Sequence, residues 1–387
     1  MNSNVPTLHS SVPQGASARA RVDSRTTNMH AHLRIRFAIA MAGALAACEH
    51  TAPFRPGAYG PDGPLSAGNP ARLTYNPGQD LMPAWTSNGA EIVYTAERLD
   101  RADHDRCLAF LPAAGGAISR YVCRTSTADD SLNVFDQATL SVDDQIAYVR
   151  ASNTRAVFRI GPDAQELVVA PVGNPNTARV LQRLPFTAAW GTTYDALSHL
   201  VWLGRDRVAA VGERVTYPRS CSSCAADTVR TGLGILTIDF TSVSPIVGRL
   251  ASGDSASSLA AEPTGDTLYF TRDGDSHIYR YVLSNGQTDT TYDFGAAGIA
   301  RDLSLSHGTF AAIVGGDVSY AVDSLLGGSQ RDHGGPLFVM RPGTPATQIG
   351  DTGWKFRRPA LSPDGTHLVV AAWNAEPTAN LWLFELP

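Results

Sequence analysis

Chemistry in this chain of 387 residues could come from its five cysteines, its ten histidines and a few carboxylates and arginines. Cys107 and Cys123 flank the run LAFLPAAGGAISRYV, and a turn at Gly115 leaves each of them eight residues from its centre. Two strands of one hairpin would set the pair opposite each other within bonding reach, so the spacing predicts a cross-strand disulfide. Cys221 and Cys224 form CSSC inside the stretch YPRSCSSCAADTV. A redox dithiol of that spacing needs a strand before it and a helix after it. A zinc site needs two further ligands at matching spacing. A local loop disulfide needs neither and is the favoured reading, with redox and metal roles left open. His104 in RADHDRC and His333 in SQRDHGG fall between apolar runs and read as exposed loop residues. A Ser-His-Asp hydrolase would carry a G-x-S-x-G elbow on an added α/β domain, and the sequence has no such motif.

The elements that would position these residues are short strands. The chain is 43% hydrophobic, enough for a large core, and only 17% charged, with a net charge of −5. No clustered basic surface suits nucleic acid as a partner. The 35 glycines and 24 prolines sit between short apolar runs, which is how an all-β chain punctuates its turns. Beyond the N-terminus no long segment repeats apolar residues at helical spacing.

The N-terminal part reads as an address. Arg34 and Arg36 precede a short apolar run, Phe37 to Leu45, that is too brief to span a bilayer and ends in Leu45-Ala46-Ala47-Cys48. This resembles the bacterial lipoprotein signal. The resemblance implies cleavage before Cys48, lipidation of Cys48 and an envelope location. Glu49 in place of an aspartate favours the outer membrane, and Met29 is a plausible start. Residues 1–47 are thus expected to be an extension and signal peptide, and residues 48–70, rich in Pro and Gly, a flexible tether. With Cys48 lipidated, four cysteines remain, an even number suited to an oxidising compartment.

The stretch RRPALSPDGTHLVVAAW, from Arg357, sets the fold. Pro-Asp-Gly between apolar runs is a strand-turn-strand signal. It aligns without gaps to PAWTSNGAEIVYTA from Pro83, ATLSVDDQIAYVRA from Ala138, HLVWLGRDRVAAVG from His199, LAAEPTGDTLYFTR from Leu259 and DLSLSHGTFAAIVG from Asp302. The steps between copies are 55, 61, 60, 43 and 57 residues, room for four strands and loops. A third apolar strand follows each hairpin, from CLAFLP to NLWLFELP, and five units add a fourth. The last unit lacks one, and ARLTYNP, Ala71 to Pro77, can supply it. These units resemble the repeats of TolB-type propellers in the wider WD-like group. The resemblance implies an all-β, six-bladed β-propeller over residues 71–387, its ring closed by the N-terminal strand, monomeric and binding a protein or envelope partner on one face. TolB-type proteins also carry an N-terminal α/β domain, and a lipobox and tether stand in its place here.

In that architecture the first strand of each blade lines a channel and its leading residues form a rim. The rim candidates are Asp136, Gln137, His199, Arg301, Asp302, Arg357 and Arg358. They could capture an acidic partner by charge-assisted hydrogen bonds, or close the ring with salt bridges. A divalent cation in the channel, as in a metal-dependent hydrolase or lactonase, would need several converging acidic, Asn or His ligands. Only Asp136, His199 and Asp302 qualify, and the arginines would repel it. No cofactor is expected. The favoured function is a non-catalytic binding module, with a channel hydrolase and an envelope scaffold or sensor as alternatives.

Overall fold

The structure is a computed structural model that describes residues 65–99, 106–123, 131–154, 164–184, 186–187, 193–216, 229–250, 253, 255–262, 265–315, 319–321, 331–341, 343–374 and 378–386. All belong to one compact unit, Glu49–Pro387. Cys48, His104, Cys221 and Cys224 lie outside the described residues.

Among the described residues the apolar runs form 27 short strands. The first is β1 (Ala71–Arg72). The first repeat holds β2 (Asp80–Trp85), β3 (Glu91–Glu97), β4 (Arg106–Pro112) and β5 (Arg120–Val122). The second holds β6 (Ser131–Leu140), β7 (Gln145–Thr154), β8 (Ala164–Pro171) and β9 (Arg179–Arg183). The third holds β10 (Phe186–Thr187), β11 (Thr193–Trp202), β12 (Arg207–Thr216), β13 (Val229–Asp239) and β14 (Ile246–Leu250). The fourth holds β15 (Ala256–Ala261), β16 (Thr267–Arg272), β17 (His277–Val282) and β18 (Thr288–Asp293). The fifth holds β19 (Ala300–Ser306), β20 (Thr309–Val314), the small hairpin β21 (Ser319–Ala321) and β22 (Arg331–His333), then β23 (Leu337–Met340) and β24 (Thr347–Ile349). The sixth holds β25 (Lys355–Leu361), β26 (His367–Trp373) and β27 (Asn380–Glu385).

Four blades stand as separate antiparallel sheets: β10 to β14, β15 to β18, β19-β20-β23-β24, and β25-β26-β27 with β1 at its outer edge. The strands of the first two repeats run together as one eight-stranded sheet, in which β4 meets β6 through a single parallel bridge, Arg106 to Val134. Helix is confined, among the described residues, to 3-10 turns such as Pro175–Thr177 and Gly295–Ala297. No helix there is long and apolar enough to cross a membrane. Each first strand lies against the next, in the order β2, β6, β11, β15, β19, β25, and β25 lies against β2.

The turns close as their residue types require. Ser362 Oγ donates to Asp364 and accepts from the His367 N–H, the Gly365 N–H reaches Ser362 O at 2.9 Å, and Gly365 takes φ +71°, which a Cβ would strain. Thr86, Asn88 and Gly89 repeat the same set. The middle strands are buried on both faces, so side chains pack between neighbouring sheets. Trp354, Phe356, Trp382 and Phe384 fill the space between the fifth and sixth repeats, and Ile92, Tyr94, Trp373 and Leu381 that between the sixth and first. Burying side chains of this size contributes about 2–3 kcal/mol each.

Two details refine the boundaries read from sequence. Cys107 and Cys123 form a disulfide, one step beyond the Leu108 to Val122 pair of β4 and β5. The last residues of the segment read as tether are packed. Leu65 is buried among Trp354 and Phe384, and the Ser66 and Ala67 amides donate to the Asp351 carboxylate.

Candidate functional site

Every inner strand breaks register once. The pairing slips between Leu81 and Ala84, Asp136 and Thr139, Ser198 and Val201, Ala256 and Ser258, Arg301 and Ser304, and Arg357 and Ala360. In five of these bulges the residue at the slip is a non-glycine in the left-handed region: Met82 (φ 53°), Gln137 (φ 56°), His199 (φ 51°), Asp302 (φ 46°) and Arg358 (φ 50°). Each costs roughly 1–2 kcal/mol relative to an ordinary strand residue.

A bulge also leaves backbone N–H groups outside the ladder, and a buried unpaired amide is costly. Side chains of the preceding inner strand accept them. Gln137 Oε1 takes the His199 N–H at 2.9 Å, Ser258 Oγ the Leu303 N–H at 3.2 Å, and Asp302 Oδ2 the Arg358 N–H at 3.0 Å. Neighbouring inner strands, which share no ladder here, are joined by these contacts.

From the bulges to the turns the inner strands enclose a channel of ≈590 Å³. Met82, Gln137, His199, Asp302 and Arg358 line its bulge end, while Ala84, Leu140, Val201, Leu305 and Leu361 line the remainder. His199 Nε2 lies 2.9 Å from Asp302 Oδ1, and Arg358 Nε lies 3.5 Å from the same oxygen. Burial alone would push the Asp302 carboxyl up. The Arg358 guanidinium, the His199 ring and the Arg358 N–H outweigh it and hold the group well below the usual carboxylate range. Gln137 Nε2 is buried without a hydrogen-bond partner among the described residues.

His199 Nδ1 also lies 3.2 Å from Ser198 Oγ, so Ser198, His199 and Asp302 follow each other in the order of a hydrolase triad. Two observations speak against that chemistry. Ser198 is not among the residues lining the channel, and Asp302 is already shared with a guanidinium, which weakens its support of an imidazolium. Of the lining carboxylates, Glu262 accepts from Tyr269 Oη at 3.0 Å and Asp302 carries Arg358. Among the described residues no group of three His, Cys, Asp or Glu converges as a metal site would require.

The structure divides the seven rim candidates. Gln137, His199, Asp302 and Arg358 meet at the channel. Asp136, Arg301 and Arg357 do not line it. Asp136 is buried, its Oδ1 accepting from Thr95 Oγ1 at 2.9 Å and from the Gln137 N–H at 2.7 Å. Arg357 is 1% exposed, donates to Gln79 Oε1 at 3.1 Å and lies over the Trp373 ring. Arg301 donates to Gly315 O at 3.2 Å. One residue along a strand reverses the face, so adjacent candidates could not all point the same way.

The turns differ in length, from Ser362–His367 to Ser141–Gln145, Leu203–Arg207 and Ser306–Thr309. In an alignment anchored on the position of Gly365, Arg205 and Gly308 fall two residues after the one that opens the turn, against three in the other units, so the alignment slips by one in β11 and β19. Anchoring on the residue that opens the turn corrects it. Four positions before Thr86, Ser141, Leu203, Glu262, Ser306 and Ser362 stand Met82, Gln137, His199, Ser258, Asp302 and Arg358. Ser258 and Met82 are the members of this level that stand outside the seven candidates.

Repeated antiparallel meanders whose first strands surround a channel define an all-β propeller. No family model and no curated protein matches the chain. Solved structures similar to it include a putative TolB from Agrobacterium tumefaciens (16% identity, TM-score 0.47, 81% of this chain and 93% of that one). They also include TolB from Acinetobacter baumannii (14%, 0.43, 80% and 64%) and a gluconolactonase from Xanthomonas campestris (14%, 0.48, 88% and 96%). With likenesses this distant, the propeller assignment rests on the strand pairing.

Proposed function

We propose that the chain is a non-catalytic binding module, a six-bladed propeller whose channel receives part of a protein or envelope partner. The circular order of the six first strands supports the count, the restriction of the pairing between the first two repeats to one bridge at Arg106 supports reading them as two blades, and the β1–β27 pairing supports closure by the N-terminal strand. The Leu-Ala-Ala-Cys sequence supports lipidation at Cys48, with 1–47 removed and a tether from 48, Glu49 in place of an aspartate supports an outer-membrane location, and the low charge content supports a propeller that binds no nucleic acid.

The observation that carries the binding reading is the channel itself. Asp302 is spent on Arg358 and His199 and Glu262 on Tyr269, while the channel's volume is open. Purified protein is expected to retain no stoichiometric divalent ion, to hydrolyse neither esters nor lactones, and to leave Ser198 unlabelled by a fluorophosphonate. A retained ion with turnover, or labelling lost in Ser198→Ala, would overturn the non-catalytic reading in favour of a channel hydrolase. For the anchor, Cys48→Ser is expected to move the protein out of the membrane fraction, and unchanged retention would count against lipidation.

A further inference from the structure

A second buried cluster lies away from the channel, where the chain crosses from the outer edge of the last sheet to the inner strand of the first. The crossover, residues 73–79, is fixed on both sides. The Leu73 N–H donates to Leu381 O at 2.8 Å, Thr74 Oγ1 accepts the Leu381 N–H at 2.9 Å, and Gln79 Oε1 accepts from Ala379 N and from Arg357. The Asp80 N–H then donates to Ala379 O at 3.0 Å. Gly78 passes so close to Glu97 that a Cβ would stand 2.5 Å from its carbonyl oxygen.

Beneath this crossover sits Asp80, 0% exposed. Asn76 Nδ2 donates to its Oδ1 at 3.1 Å, and its Oδ2 is buried with no hydrogen-bond partner among the described residues. A carboxylate in that position leaves a charged oxygen unsolvated, whereas a neutral carboxyl does not. We propose that Asp80 is a pH-sensitive latch on the seam between β1 and β2, holding the crossover against β27 when protonated and loosening it when ionised.

The surrounding groups set the direction. Burial dominates and pushes the carboxyl up to about 7, with Glu97 of β3 adding to the rise. Thr74 and Asn76 of the crossover and Arg72 of β1 oppose it. Tyr94 of β3 is itself buried and its hydroxyl pushed well above its ordinary range, so it stays neutral. Arg357 of β25 is directed to Gln79 and Asp136 of β6 to Thr95. At this end β26 presents Ala371-Ala372-Trp373, and Ala379 with the first residues of β27 presents Ala379-Asn380-Leu381, none of them ionisable.

The sign follows from linkage. The folded value lies above the unfolded one of 3.8, so the seam is tightest with respect to this group at low pH and is weakened as pH rises to about 7. Above that the weakening is constant.

Hydrogen exchange on the full chain, corrected for intrinsic rates, reads the latch at the Leu73 and Leu381 amides. Between pH 5.5 and 8.5 their opening is expected to increase by about tenfold or more, while a buried amide of β16, Phe270, shows no such change. Asp80→Asn, neutral throughout, is expected to abolish the pH dependence. A flat response in the wild type, or an equal rise in Asp80→Asn, would overturn the proposal. If that variant does not fold, carbon NMR titration of the wild-type Asp80 carboxyl decides instead. A midpoint near 7 supports the latch and one near 4 removes it.

Discussion

At the residue scale, the charged groups in the channel act first as fasteners. Asp302 accepts the Arg358 N–H across a strand junction and pairs with His199 and the Arg358 guanidinium. Asp302→Asn should therefore destabilise the fold by roughly 3–5 kcal/mol at neutral pH, as breaking one side of a buried pair does. The folded carboxyl is depressed, so its contribution is full above the unfolded value of 3.8 and fades as pH falls below it. Denaturant titrations should show the gap between wild type and Asp302→Asn narrowing below pH 3.8. A gap that stays constant into acid would show that Asp302 is not held as an anion. That these residues gather on inner strands was legible in the sequence. Which of two neighbours faces the channel was not, because a bulge and a variable turn each shift the face by one position.

Among the elements, the hairpin turns were the clearest signal, and they also form contacts between sheets. Gly265 and Gly343 have the same φ of +75°, but a Cβ on Gly265 would stand 2.3 Å from the Gly204 nitrogen of the neighbouring turn, and one on Gly343 would meet nothing within 4 Å. Gly343→Ala is expected to cost about 1 kcal/mol from backbone conformation alone. Gly265→Ala should cost clearly more, because rigid backbone must give way. Equal losses in melting experiments would mean that the two turns do not press on each other. The hairpin joining Cys107 to Cys123 was legible for a similar reason: a turn glycine midway between two cysteines fixes the register. The packing of Leu65 was not, since one apolar residue in a Pro/Gly-rich segment carries no period.

For the whole molecule, the repeat spacing disclosed a propeller, and the missing last strand the pairing of β1 with β27. The sequence could not show that the first two repeats would touch through Arg106 and Val134, because that contact depends on how their edges diverge. Nor could it show that the channel's charges would neutralise one another, which depends on backbone conformations no residue type announces. The mutual neutralisation of the channel's charges favours a channel that receives a partner over one that transforms a substrate. The most direct measurement places a photo-crosslinking residue at Val142, which is 57% exposed and lines the channel near its turn end. It is introduced into the full chain in the cells that make it, with and without Ala84→Trp to fill the channel. The proposed function predicts a discrete protein adduct that the filled channel loses while its melting temperature is retained. An adduct of equal yield in both proteins, or none in either, would contradict it.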